Sequence, residues 1–176
     1  MIKPFKNADK QISQFYSTQH EAIDFYGKYG TPLTAPEDGE IIWNRKGTYT
    51  PGDNTELKKG YNIRLKGTYE WLFEHCQPVF PVSVGEKVKA GQIIAYMGNS
   101  GAVMTMFNGQ FRYVPVEERT QDPHLGTHLH LECFENGKRI NPLPLLTEEP
   151  NYSVFDQLKA MSVTIGKIAG LIAVDK

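Results

Sequence analysis

Residues 122–134 read DPHLGTHLHLECF and hold three of the five histidines of the chain within seven positions. Drawn as a strand from His128 to Phe134, the segment puts His128, His130 and Glu132 on one face. Leu129, Leu131 and Cys133 then face the other way, where they can anchor the strand in a core. Three explanations compete for the cluster. It is a chance grouping on a solvated strand, a core strand with hydrogen-bonded imidazoles, or a metal site, histidine being the commonest protein ligand for transition metals. The alternation argues against buried imidazoles, because the apolar residues already claim the inward face. Two histidines and a carboxylate on one side leave a fourth zinc position for water, which is the arrangement of a catalytic rather than a closed structural site.

Working outward, the composition sets bounds. The 176 residues suit one domain with an appendage and are enough for a core without staples. Apolar content of 40% and charged content of 22% are ordinary for a soluble globular protein. A formal net charge of −1 leaves no broad nucleic-acid footprint, so no nucleic-acid partner is expected. Sixteen Gly and eleven Pro, with nine Tyr and nine Phe, favour strands and turns over a helical bundle. No segment has the apolar length of a transmembrane helix, and the opening MIKPFKNADKQISQFY lacks an apolar run of signal-peptide length. Cys76 and Cys133 could pair if the fold brings them together, but are expected rather as small buried residues: two thiols make no disulfide framework and lack the short spacing of a structural zinc site.

Three regions follow along the chain. Residues 1–18 read as an irregular lead-in. Residues 19–146 carry short strand-like runs between turn signals. In GYNIRLKG (60–67), Tyr61, Ile63 and Leu65 alternate with Asn62, Arg64 and Lys66, and a Lys66-Gly67 turn leads into TYEWLFEHC (68–76), which predicts a hairpin. VSVGEKVKAGQIIAYMGNSG (82–101) reads as strand, Gly turn, Gly turn, strand. From 153 to 174 the period changes: Val154, Leu158, Met161, Ile165, Ile168 and Ile172 form a narrow stripe with Ser153 as N-cap, which predicts an amphipathic C-terminal helix. It either packs on its own domain or serves self-association or docking to a larger assembly.

His20 and Asp24 stand four apart in HEAIDFYGKYGTPLTAPEDGEI, on one face of a strand or helix. Taken together with YEWLFEHCQPVFPVSVGEKVKAGQIIAYMGNSG and THLHLECFENGKRINP, this segment resembles the lysostaphin/LytM-type zinc endopeptidases, which cut peptide links in bacterial peptidoglycan. That family opens on His-x-x-x-Asp followed by a GTPV-AP-DG-V run, has a V--G--V--GQ-IA--GNSG middle, and closes on His-x-His in a strand. The elements occur here in that order over residues 19–143. Ala22 stands where the family often has Gly, and EHC replaces its Tyr-x-His-Leu.

The resemblance implies a mainly β, antiparallel, sandwich-like domain with the site in a groove across the sheet. It implies one zinc per chain on His20, Asp24 and His130, with His75 and His128 as the catalytic histidines. It also implies peptidoglycan peptides as substrate and hence action at the bacterial cell wall, in the extracellular space, the periplasm or on a virion; phage or prophage origin would account for a wall hydrolase without a visible leader. An insertion at 102–126 separates GNSG from THLH, contains His124 as a competing His-x-x-x-His partner of His128, and is expected to wall the groove. Other readings are a non-catalytic binding or regulatory module of this fold, a structural component of a phage tail, and a lipoyl-like carrier, the last lacking a modified-lysine motif.

Overall fold

In the computed structural model, which describes residues 1–45, 51, 55–153, 156–159, 161–162 and 165, the strand through the histidine cluster sits at the middle of the main sheet. The first half of the chain supplies β1 (Ile12–Gln14), β2 (Ile23–Tyr26), β3 (Pro32–Thr34), β4 (Gly39–Arg45), β5 (Tyr61–Lys66) and β6 (Glu70–Cys76). The second half supplies β7 (Lys87–Val88), β8 (Ile93–Tyr96), β9 (Met104–Phe107), β10 (Gln110–Tyr113), helix α1 (Val116–Gln121), β11 (His128–Glu135) and β12 (Lys138–Ile140). The large sheet has the order β1-β2-β11-β6-β5-β4-β7, with β12 beside the end of β11. Its pairings are antiparallel. The fold is mainly β, as expected.

One face of this sheet is apolar because its strands alternate. Leu129, Leu131 and Cys133 of β11 are fully buried, as are Ile23 and Phe25 of β2 and Trp71 and Phe73 of β6. The antiparallel pair β3–β8 adds Leu33, Ile94 and Ala95 to the same core. Each large apolar side chain so buried contributes about 1.5–3 kcal/mol. Cys76 and Cys133 are free and buried, as expected.

The predicted β5–β6 hairpin forms, and a carboxylate holds its turn. Glu37 Oε2 accepts from Thr68 N at 2.9 Å, while Oε1 accepts from Tyr69 N at 2.9 Å and Trp71 Nε1 at 2.8 Å. Gly67 is required there, since an added Cβ would lie 2.6 Å from the Asp38 carbonyl.

Two expectations change. Residues 1–18 are more than an irregular lead-in: much of the segment is turn, bend or irregular, but Phe5 and Ala8 enter the core, β1 extends the sheet edge, and Lys3 pairs with Glu149 at 2.7 Å. The run Val82–Val84 forms no strand, and only β7 and β8 of that segment do. Within the predicted helix 153–174, residues 156–159, 161–162 and 165 are helical. Ser153 and Asp156 cap its start reciprocally, Ser153 N donating to Asp156 Oδ2 at 2.8 Å and Asp156 N to Ser153 Oγ at 3.2 Å. Leu158, Met161 and Ile165 are exposed. Val154, Ile168 and Ile172 of the stripe lie outside the described residues, and self-association through this helix stays a proposal. No helix among the described residues is long and apolar enough to cross a membrane.

Glu37 gives a stability test. Burial alone would raise its pKa, but the bonds from Trp71, Tyr69 and Thr68 outweigh this and hold it below the usual carboxylate value. The stabilisation is therefore complete above an unfolded pKa of about 4.3 and is lost as pH falls through the lower folded value. Glu37→Ala is expected to cost about 1–3 kcal/mol at pH 7 in urea unfolding, with the gap to the parent closing below about pH 4. A gap independent of pH would exclude the ionised carboxylate as its cause.

Candidate active site

The other face of the sheet carries the polar cluster. His130 of β11 lies directly opposite Asp24 of β2 on one side and Glu74 of β6 on the other. His20 precedes β2 in a tight turn in which Ser17 Oγ accepts from His20 N at 3.1 Å. This turn swings the His20 ring over the pair: its Nε2 lies 3.3 Å from His130 Nδ1 and 3.3 Å from Asp24 Oδ1. Asp24 Oδ1 and His130 Nδ1 are 2.8 Å apart. Three ligand atoms at the corners of a tetrahedral zinc would be separated by about 3.3–3.4 Å, given Zn–N and Zn–O lengths of about 2.0–2.2 Å. Two of the three edges match that length, and the third, at 2.8 Å, is drawn in to hydrogen-bond distance. The donor set of two imidazoles and one carboxylate suits zinc. Among the described residues, the buried Nδ1 of His20 has no hydrogen-bond partner.

His75 reaches the same face by a break in the alternation. Trp71 and Phe73 point into the core and Glu74 into the groove, so simple alternation would return His75 to the core. Instead the β5–β6 register shifts between Tyr61 and Ile63, and His75 takes a left-handed backbone with φ 59°. The bulge keeps Glu74 and His75 on one side and returns Cys76 to the core. The His75 ring centroid then lies 4.6 Å from that of His128 and 6.0 Å from that of His130.

Backbone carbonyls set the tautomers of two rings. His75 Nδ1 lies 2.7 Å from the Ser100 carbonyl oxygen, and His128 Nδ1 lies 2.8 Å from that of Gly126. A carbonyl only accepts, so each Nδ1 carries the proton and each Nε2 keeps its lone pair. Burial pushes the pKa of His75 well down, aided by the neighbouring histidines, and lowers that of His128 against the pull of Asp24. Both are neutral bases near pH 7.

His130 is oriented differently. Its Nε2 lies 3.6 Å from Glu132 Oε1, and Arg139 Nε holds Glu132 Oε2 at 2.8 Å. Glu132, a ligand candidate from the strand pattern alone, thus lies on the far side of the His130 ring from the triangle. Burial opposes both charges here. The hydrogen bond to Asp24 and the Glu132 carboxylate beside Nε2 nevertheless hold the His130 pKa up at about 10, and His130 and Arg139 hold that of Glu132 down at about 2. Burial, with Glu132 adding to it, raises Glu74 to about 7.

The cluster lines a groove of about 710 Å3. Ser13, Gln14 and Tyr26 form one side; Met104, Met106, Phe111 and His124 of the insertion form the other. The structure thus brings His20, Asp24, His130, His75 and His128 together and leaves His124 exposed at the rim. Glu74 and Arg139 were not anticipated. Extending the alternation from Trp71 and Phe73 would have placed Glu74 beside His130; nothing local in ENGKR signals Arg139.

The family model described as Peptidase family M23 matches residues 18–142. The chain belongs to peptidase family M23. The M23 domain is 28% identical over 127 residues to glycyl-glycine endopeptidase ALE-1 of Staphylococcus capitis, covering 72% of this chain and 29% of that protein. It is 29% identical over 123 residues to peptidoglycan DD-endopeptidase ShyC of Vibrio cholerae, covering 70% and 22%. The chain therefore spans less than a third of either relative. Among solved structures, LytU superposes with a TM-score of 0.54 at 26% identity, covering 76% of this chain and 82% of that one. Lysostaphin of Staphylococcus simulans gives 0.52 at 23%, covering 83% and 54%, a likeness of fold.

The loop that holds His75 is tightly built. A Cβ on Gly101, at φ +80°, would lie 2.3 Å from the Lys58 carbonyl and 2.5 Å from Gly60 N. Gly101→Ala is therefore expected to lower stability by about 1–3 kcal/mol, read as a fall in urea midpoint at constant slope. An unchanged midpoint would show that this loop packs more loosely than the geometry requires.

Proposed function

We propose that this M23 domain is a zinc-dependent endopeptidase that hydrolyses peptide bonds in bacterial peptidoglycan. The observation that carries the proposal is the triangle of His20 Nε2, Asp24 Oδ1 and His130 Nδ1 on the floor of an open groove, with two neutral imidazoles beside it. His20, Asp24 and His130 would hold one zinc. When bound, the zinc would supply Lewis acidity, lowering the pKa of a bound water toward about 7 and polarising a carbonyl.

The rest falls to the chain's own groups. Nε2 of His75 and of His128 can each accept a proton from the attacking water and return it to the leaving amine. Once protonated, either N–H can hydrogen-bond the oxyanion of the tetrahedral carbon. The Ser100 and Gly126 carbonyls keep both rings in the tautomer this requires. Glu132, fixed by Arg139, lies 3.6 Å from His130 Nε2 and would favour the proton there, leaving Nδ1 directed at Asp24, the usual role of a carboxylate behind a metal-binding imidazole. Peptidoglycan as substrate, and the cell wall as the place of action, draw support from the endopeptidase relatives.

Digestion of purified peptidoglycan, with mass analysis of the products, tests the activity; a chelator should abolish it and zinc restore it. His20→Ala and His130→Ala are expected to lose both zinc and activity. His75→Ala and His128→Ala are expected to keep zinc and lose about 10²- to 10⁴-fold in rate. Full zinc content in the first pair, by elemental analysis, would overturn the ligand set.

The exposed hairpin β9–β10 offers a separate test. Met104, Met106 and Phe111 line the groove yet are 51%, 56% and 69% exposed. Replacing residues 105–111, and so sparing Arg112, by a short Gly-Ser turn is expected to change which peptide fragments are cut, with zinc content unaltered. An identical product pattern would remove the hairpin from substrate selection.

A further inference from the structure

The insertion does more than wall the groove. Arg119 of α1 is 6% exposed, and its guanidinium hydrogen-bonds backbone carbonyls rather than a carboxylate. Nη1 donates to the Asn99 carbonyl at 2.5 Å and to the Gly101 carbonyl at 2.7 Å, and Nη2 to Tyr113 Oη at 3.4 Å. A buried cation is costly unless its donors are met, so a guanidinium kept here constrains the carbonyls it binds. The peptide between those two carbonyls is that of Ser100, whose own carbonyl accepts from His75 Nδ1 at 2.7 Å. The loop is thus gripped from two sides.

Other contacts leave this loop little room. Ser100 Oγ donates to the Cys76 carbonyl at 2.8 Å and accepts from Tyr61 N at 2.9 Å. Asn99 Nδ2 donates to the Pro123 carbonyl at 3.0 Å, back in the insertion. The insertion therefore binds both Asn99 and Gly101, the two neighbours of the one residue that fixes the His75 tautomer.

We infer that Arg119 is a positioning residue: by clamping Asn99 and Gly101 it holds the Ser100 carbonyl on His75 Nδ1 and keeps His75 Nε2 as the proton acceptor in the groove. The inference rests on the proposed role of His75. Without the clamp the loop carbonyl can turn away, and His75 then samples the Nε2–H tautomer, which cannot accept a proton from water.

The test uses the full zinc-loaded chain and Arg119→Met, alone and combined with His75→Ala. The substrate is a defined peptide fragment cut in the digestion above. Arg119→Met is expected to keep its zinc, leave KM within about twofold and lower kcat by about 10- to 100-fold. In the His75→Ala background it should lower kcat no further. Nitrogen-15 spectra of labelled histidine, with His75 assigned by its loss in His75→Ala, should show one Nδ1–H tautomer in the parent and a mixture in Arg119→Met.

Equal losses in both backgrounds, or an unchanged His75 tautomer, would make Arg119 a general stability residue and overturn the inference. If Arg119→Met does not fold, Arg119→Lys takes its place with the same readouts, since an ammonium keeps the charge without the rigid fork. A fully active His75→Ala would instead overturn the catalytic reading of His75. The tautomer comparison separates that failure from failure of the clamp.

Discussion

Everything at the site depends on the pairing register of β2, β11 and β6. His130 meets Asp24 and Glu74 only because Leu131 meets Ile23 and Phe73 one residue further along. A slip by one residue on β11 would carry His130 into the core and Leu131 into the groove, since side chains alternate with period two. The slip is opposed chiefly by the apolar face. Six large buried side chains on these three strands, Ile23, Phe25, Trp71, Phe73, Leu129 and Leu131, each contribute about 1.5–3 kcal/mol. The polar cluster opposite combines the neutral imidazoles of His75 and His128 with desolvated charges whose mutual attraction largely offsets their burial. Its geometry is therefore imposed by the core behind it, which suits a site that must keep its donors aimed with or without a bound ion.

One functional side chain cannot be delivered by that register. Alternation can place only every second residue of β6 in the groove, and Glu74 already takes the position facing His130. The bulge at His75 breaks the parity once. A non-glycine residue in the left-handed region costs about 1–2 kcal/mol, offset here by the hydrogen bond from Nδ1 to the Ser100 carbonyl. Strain and its compensation thus sit at the same residue. The bulge sets the His75 backbone and the Ser100 carbonyl holds its ring, so the loop at 99–101 bears on His75 as well as the strand that carries it.

These dependencies explain what could be read from the sequence. The two faces of β11, the β5–β6 hairpin and the juxtaposition of His20 with Asp24 were legible because each rests on period-two alternation or short spacing. His75 was found through its distance to VGEKVKAGQ in the resemblance; alternation from Trp71 and Phe73 would have sent it inward, because a bulge leaves no local mark in EHC. Glu132 shares a face with His130, so pattern alone made it a ligand candidate. Its turn toward Arg139 depends on where β12 comes back, which no spacing reveals. The lead-in looked irregular because its elements, three residues each, are shorter than any window that shows periodicity, yet Phe5 and Ala8 enter the core.

The insertion at 102–126 was legible as an interruption but not as a device, and its internal construction shows how it can serve two ends. Its base is fastened: Val103 and Val114 are fully buried, Arg112 pairs with Glu118 to tie β10 to α1, and Arg119 grips the loop beside His75. Its groove-lining apolar residues, Met104, Met106 and Phe111, have no such duty. Because the two sets do not overlap, the groove-facing residues can change without releasing the clamp. Residues free of packing are where a binding surface can vary at little cost to stability. A hairpin with a fixed base and an exposed apolar wall is thus a means of altering which peptide the groove admits while the histidines beneath it keep one geometry.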